Sequence, residues 1–432
     1  MKFNMKIGGK YLTIIAIILV FVSACERSIF SKKLSPNYEL NTYIYEILKG
    51  QKWYLWTDNV PEIDPESVWD SREYFDQLLY KEIDRWSYID TKASHDAHYE
   101  EGKYVGFGFG YAWDLQMNLR VAYVFPNSPM SEKGVKRGYK ISEIGGKKVS
   151  SLMNSGTLSA AFGAASAGVT VSFKVESPEG EQQTFSIVKR EVFEKSVLVH
   201  KVFTSDNIKT GYLFLKSFIE PTKAELKTAF ELFKQENVKR LIIDLRYNGG
   251  GRLDVANYLG NLIAGNANTG KVWLNIVHNS SKADKNTVTK LDRDETGIDA
   301  MQVVIIQSFR TASASEIIIN SLKPFVEVKT VGEKTHGKPV GMYSFDFEDM
   351  VIVPISFKTT NGSGEGDYYS GIEADFFVEE DLLHDLGDAK EICLKQALHY
   401  TTTGSFLGLT KKSSIIKPAI SLYGLKGEIG AE

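Results

Sequence analysis

The rhythm of apolar and polar positions changes several times along the chain. At the N-terminus Lys2, Lys6 and Lys10 precede the apolar run YLTIIAIILVFVSAC, which is too short to span a bilayer comfortably. A basic stretch, a short apolar run and small residues at its end predict an export signal over residues 1–25. Residues 26–37 are polar and read as a tether. From 38 to 99 the spacing is helical. Asp64 and Pro65 can serve as N-cap and first helical residue, and Phe75, Leu78, Leu79, Ile83 and Trp86 then fall on one face.

Residues 100–192 read as short strands, among them VTVSFKVES and QTFSIVKRE, with a small-residue helix at SGTLSAAFGAASAG. Beyond 193 the pattern changes again. GYLFLKSF, KRLIIDL, KVWLNIV and MQVVIIQ read as strands; TKAELKTAFELFKQENV and RLDVANYLGNLIAGN read as helices. Strands apolar on both faces, alternating with amphipathic helices, predict a largely parallel α/β core over 193–403. The polar SSKADKNTVTKLDRDETGID is a surface excursion, DAKEICLKQALHY a helix, and 404–432 a loosely ordered tail.

Composition changes this picture little. A chain of 432 residues is long enough for two or three domains. A formal charge of −3 offers no basic face for nucleic acid. The cysteines say more, because Val22-Ser23-Ala24-Cys25 resembles the bacterial lipobox, whose Cys is lipidated and becomes the mature N-terminus. A diacylated Cys25 would supply the two chains that firm anchoring needs. Cys393 is then left without a partner, so no disulfide framework forms, and it reads as a small buried apolar residue. Trp53, Trp56, Trp69 and Trp86 read as packing. His95 and His98 in HDAH have metal-capable spacing but no carboxylate partner, and read as a loop.

Candidate chemistry gathers where strands end, the usual place for sites in α/β sheets. DLRYNGGG (244–251) closes one strand, TASASEIIINSL closes another, and VGEKTHGKPVG (331–341) follows a third. Ser313 and Glu316 are spaced as a capping box, which alone would only start a helix. NGGG is not followed by Gly-Lys-Ser/Thr, so a nucleotide loop fits poorly. TASAS also lacks the G-x-S-x-G of α/β hydrolases acting on small esters.

The 100–192 segment carries a resemblance. GFGF (Gly106, Phe107, Gly108, Phe109) resembles the carboxylate-binding loop of PDZ domains, and SPMSEKGVKRGYKISEIGGKKV is similar to the bacterial PDZ stretch that follows it. Such a loop presents backbone N–H groups to a peptide C-terminus, while an edge strand accepts the peptide. Tyr139 stands where the family commonly has Asp. Downstream, DLR-x-N-x-GG, S-A-S-E and GK occur in order, and GIEAD (371–375) is similar to GI-x-PD. Over roughly residues 100–385 this set resembles the C-terminal processing peptidases, also called tail-specific proteases.

The resemblance implies a multidomain α/β and β protein: a helical N-terminal region, a PDZ-like β-domain and a protease core of the ClpP/crotonase-like fold. It implies a serine endopeptidase with Ser313 as nucleophile and Lys338 as general base, needing no cofactor or metal. It also implies an oxyanion hole from the amide of Ala314 and a glycine of the NGGG loop, Gly250 being favoured over Gly249. The chemistry is sound: a serine needs a base to take its proton, and a lysine serves when burial or nearby positive charge keeps it neutral. A helix start adds N–H groups facing the developing oxyanion. His336 leaves a Ser–His pair as an alternative. The third-member positions of some relatives are occupied here by Pro324 and Met342. The expected partners are unstructured protein C-termini, not nucleic acid. The expected location is the bacterial cell envelope, lipid-anchored to a membrane and facing the periplasm or cell surface. A non-catalytic PDZ-containing peptide-binding protein with a retained protease scaffold is the competing reading, and the oligomeric state is open.

Overall fold

The computed structural model describes residues 37–408; the expected export signal, Cys25 and most of the C-terminal tail lie outside the described residues. The described chain divides into two compact units, 37–45 with 61–78, and 46–60 with 79–408.

In the small unit, helices Tyr38–Tyr45 and Ser71–Leu78 are tied by Asn41. Its amide donates to the carbonyls of Pro65 (3.0 Å) and Val68 (2.8 Å), and its Oδ1 accepts from the Ser71 hydroxyl at 2.6 Å. The helix expected to start at Asp64 does not form. Asp64 instead closes a tight turn by accepting the Glu66 N–H, and Asp70 caps the helix by accepting the Glu73 N–H at 2.9 Å. Ile83 and Trp86 therefore lie beyond that helix, the first exposed and the second buried. The HDAH stretch corrects the reading in the other direction. It is helical, Lys92–Tyr99, because Thr91 caps it by accepting the Ser94 N–H.

The large unit is built on a six-stranded sheet in the order Val197–Ser205, Ile208–Leu215, Arg240–Asp244, Gln302–Gln307, Glu327–Gly332, Phe376–Phe377. The first pair is antiparallel and the rest are parallel. Strand alternation decides which side chain goes where. Leu213, Leu241, Ile243, Val303 and Ile305 pack on one face against helices Thr222–Gln235, Leu253–Gly260 and Ala314–Leu322. Tyr212, Phe214, Ile242, Val304 and Ile306 pack on the other face against Leu394 and Ala397 of helix Ile392–Thr403. Cys393 is buried on that second face, and burial pushes its thiol pKa up.

Among the further sheets of this unit, two are the largest. Strands Phe109–Trp113, Leu119–Val124, Lys140–Ile144, Thr170–Glu176 and Gln182–Val188 form an antiparallel sheet, with the short Lys147–Lys148 strand beside the third. Val121, Ile141, Ile144, Phe173 and Val175 fill its core. The small-residue helix is only Leu158–Ala161, preceded by Val149–Asn154. KVWLNIV is a strand, but not of the parallel sheet. Val272–Val277 pairs antiparallel with Thr287–Lys290, inside the expected excursion, and with Ile355–Asn361, whose other neighbour is Val340–Met342. The Ile355–Asn361 partner is too distant in sequence for local periodicity to announce.

At the end of strand Arg240–Asp244 a charged cluster is sealed in the interior. The Arg246 guanidinium donates to Asp244 and to both oxygens of Glu391, each at 2.9 Å, and all three residues are almost wholly buried. Tyr212 adds a hydroxyl to Asp244 at 2.9 Å. Burial alone would push the Glu391 carboxyl up, yet Arg246 more than offsets this and holds its pKa at about 2. Glu391→Gln removes one partner of a buried pair and should cost about 3 kcal/mol of unfolding free energy. Urea denaturation measures this, and a loss below about 1 kcal/mol would contradict the assigned role.

Candidate active site

Three loops leave the carboxyl ends of adjacent parallel strands: 245–252 after Arg240–Asp244, 308–313 after Gln302–Gln307, and 333–339 after Glu327–Gly332. The hydroxyls of the second loop have separate tasks. Thr311 Oγ1 donates to the Leu245 carbonyl at 2.8 Å, and Ser315 Oγ donates to the Asn248 carbonyl at 3.0 Å. Both are fully buried and fasten the second loop to the first. Ser313, between them, is only partly buried.

Ser313 has φ 54° and ψ −118°, a positive φ that residues with a Cβ rarely adopt. Such strain costs on the order of 1–3 kcal/mol and persists only where the surroundings enforce it. Glu316 does the enforcing. Its carboxylate accepts the Ser313 N–H at 2.9 Å, the Lys338 N–H at 2.8 Å, the Gly337 N–H at 2.7 Å and the Thr335 hydroxyl at 2.6 Å. One oxygen, Oε2, takes both the Ser313 and the Lys338 amide, so the two backbones meet at a single atom. Burial raises the Glu316 carboxyl above the usual range, and its four donors offset part of that rise. Three of them are backbone N–H groups that can only donate, which suits the ionised form.

The third loop is shaped by glycine and by the GIEAD segment. Gly337 has φ 90°, and a Cβ there would sit 2.4 Å from the Tyr369 carbonyl oxygen. Ile372 N–H donates to the Thr335 hydroxyl at 2.6 Å, while Asp375 accepts from Thr330 N–H and Oγ1. Lys338 follows, 2% exposed, with Nζ 3.8 Å from Met342 Sδ. Burial lowers its pKa from the usual lysine value to about 8, while the carboxylates of Asp84 and Glu316 push it back up. Lys334 does not share that setting: it is half-exposed and paired with Glu373 at 3.2 Å.

The His336 imidazole is engaged with Trp86. Its Nε2 accepts the Trp86 indole N–H at 3.0 Å, which leaves the other ring nitrogen to carry the proton. Burial lowers its pKa to about 4, with help from Arg85 and Lys338. The imidazole is neutral at ordinary pH and serves as a contact for Trp86.

Gly250 and Ala314 lie beside Ser313. A Cβ on Gly250 would fall 2.8 Å from Ser313 Cβ and 3.1 Å from the Ala314 nitrogen, so only glycine fits. Ala314 N–H heads helix Ala314–Leu322, where the first amides have no intrahelical acceptor. The Gly250 N–H differs from the sequence expectation: it donates to Asn248 Oδ1 at 2.8 Å within its own loop. What Gly250 contributes in this structure is its bare α-carbon. Gly106, Phe107, Gly108 and Phe109 take no part in the hydrogen bonds joining these loops. Gly106 ends strand Lys103–Gly106, and Phe107 packs edge-on to Phe173 at 5.3 Å. Gly108 turns with φ 80° against Ser128, and Phe109 begins the next strand.

Sequence reasoning missed two things here. Glu316 read as half of a local cap, and nothing local told that the same carboxylate spans to residues 335–338. Asp84, which acts on Lys338 from another part of the chain, had no motif to flag it.

The chain is similar to known proteins. The model of peptidase family S41 matches residues 209–378, which hold all three loops, and that of the peptidase S41 N-terminal domain matches residues 39–88. Two staphylococcal proteins named "Probable CtpA-like serine protease" are 24% identical. The one from Staphylococcus saprophyticus aligns over 70% of this chain and 59% of its own length; the one from Staphylococcus aureus aligns over 72% and 60%. The chain thus spans about three fifths of the length of these curated relatives. A crystal structure of an S41 family protein from Bacteroides fragilis superposes with a TM-score of 0.69 at 21% identity, covering 84% of this chain and 97% of that one. The fold is therefore the mixed α/β multidomain fold of that structure. The chain belongs to the S41 peptidases, the family of the C-terminal processing peptidases.

Glu316→Gln places an amide against N–H groups that need an acceptor. The unfolding free energy should fall by about 2–4 kcal/mol. Denaturant titration reads this directly; an unchanged midpoint would show that the carboxylate does not hold the loops together.

Proposed function

We propose that this protein is a serine endopeptidase in which Ser313 attacks the scissile carbonyl and Lys338 takes its proton. The observation that carries the reading is the buried lysine, its pKa lowered to about 8, tethered through one carboxylate oxygen to the same point as the strained serine. In the first step the Ser313 oxygen bonds to the carbonyl carbon and its proton passes to neutral Lys338. The oxyanion is received by Ala314 N–H and by Gly250 N–H once the latter exchanges Asn248 for the substrate. Lysine then returns the proton to the leaving amine, and water repeats the sequence on the acyl-enzyme.

The five-stranded antiparallel unit, with its GFGF turn, is proposed as a PDZ domain over about residues 100–192 that binds unstructured protein C-termini. Residues 193–403 then form the ClpP/crotonase-like protease domain, and 38–99 the N-terminal region. Lipidation at Cys25 would hold the enzyme to a membrane of the bacterial envelope. The engaged Gly250 amide is the observation that favours the alternative, a peptide-binding protein on a retained scaffold.

One assay separates the two. Casein incubated with the wild-type chain should be cleaved, and Ser313→Ala or Lys338→Ala should lower the rate by about a thousandfold. Because the base acts only when neutral, kcat/KM should rise with pH through about 8, following loss of the lysine proton. Cleavage that survives both substitutions would exclude the dyad, and absence of cleavage by every form would favour the binding protein.

A further inference from the structure

A carboxylate outside the three loops acts electrostatically on the same lysine. Asp84 is 1% exposed and accepts four hydrogen bonds: Tyr54 OH at 2.7 Å and Ser87 Oγ at 2.6 Å on one oxygen, the N–H groups of Trp86 and Ser87 at 3.0 Å on the other. Both hydroxyls are oriented from behind. Tyr54 OH accepts the Tyr80 N–H at 3.0 Å, and Ser87 Oγ accepts the Ile355 N–H at 2.9 Å, so each turns its proton to Asp84. Four directed donors suit a carboxylate. The turn that carries Asp84 lies on the Lys338 loop. The Trp86 indole donates to His336 Nε2 at 3.0 Å, and Arg85 approaches the His336 carbonyl at 3.4 Å.

We infer that Asp84 is a positioning residue for Lys338, a fixed negative charge that stabilises the ammonium formed when the lysine takes the serine proton. This rests on the Ser313–Lys338 reading above. It fills the place left open by Pro324 and Met342 with a residue from a distant stretch of chain. Proton transfer creates a full positive charge in a buried pocket, where an uncompensated charge is costly. The aspartate of a Ser-His-Asp triad meets that need by stabilising the imidazolium without itself taking the proton. Of the groups near Lys338, His336 is neutral, and Arg85, at the His336 carbonyl, is repulsive to an ammonium. Tyr54, Tyr368 and Tyr369 all have pKa values raised by burial. Asp84 and Glu316 are the two carboxylates that favour the charged lysine. Glu316 spends its oxygens joining the loops; Asp84 bonds to neither Ser313 nor Lys338 backbone and can act on the lysine through its charge.

The test uses the full chain and needs no known substrate. The rate at which a fluorophosphonate modifies Ser313 is followed against pH, since it requires the neutral lysine. In Asp84→Asn the side chain keeps its shape, and both hydroxyls retain a lone pair for the new amide. Losing the charge removes what favours the ammonium, so the acid limb should move to lower pH by at least about half a unit. The plateau rate should fall about tenfold, because the base is weaker. Tyr54→Phe keeps the charge and removes one donor, strengthening the field at Lys338, so its limb should move to higher pH. A purely structural role would lower the amount of reactive protein without moving either limb. Limbs coincident with wild type, or both moving the same way, would overturn the inference while leaving the dyad intact. A wild-type chain that is not modified at all would overturn both.

Discussion

A single buried carboxylate, Glu316, holds two loops together. Glu316 begins as a helix residue facing its own N-terminus, and there it accepts the amide of Ser313. Its remaining capacity goes to Thr335, Gly337 and Lys338, which the sheet delivers from the neighbouring strand. The strained backbone of Ser313 and the course of the lysine loop are thus fixed by the same side chain. Glycine at 250 and at 337 is then a steric consequence, since a Cβ at either would meet a neighbouring loop.

Burial does the chemical tuning. Lysine is an ordinary cation in water, and only desolvation brings Lys338 near neutrality. That desolvation is unfavourable to the fold, and Asp84 and Glu316 moderate it. Natural active sites commonly trade stability for function in this way. The surrounding core supplies the rigidity this requires. Arg246, clamped between Asp244 and Glu391, fixes the start of the glycine loop, and its carbonyl accepts the Ser308 hydroxyl at the start of the 308–313 loop.

Much of this was legible from residue order. Alternation in KRLIIDL and MQVVIIQ sends Leu241 and Ile243 to one face and Ile242 to the other, as parallel strands covered on both sides require. The three motifs at strand ends mark the loops that meet. What failed to show was whatever depends on a partner distant in sequence. KVWLNIV looks like a strand of the parallel sheet until Ile355–Asn361 claims it. Asp64-Pro65 looks like a helix start until Asp70 takes the cap. Asp84 carries no signal, because its effect on Lys338 comes from a stretch distant in sequence, and the Asn248 bond that occupies the Gly250 amide is invisible in NGGG.

The most direct test of the account is peptide mapping by mass spectrometry after treatment with a fluorophosphonate, in the wild-type chain and in Lys338→Met. The account predicts one adduct, on Ser313, with Thr311 and Ser315 unmodified and the adduct lost when the lysine is replaced. Modification of another residue, or of Ser313 equally well without Lys338, would contradict it.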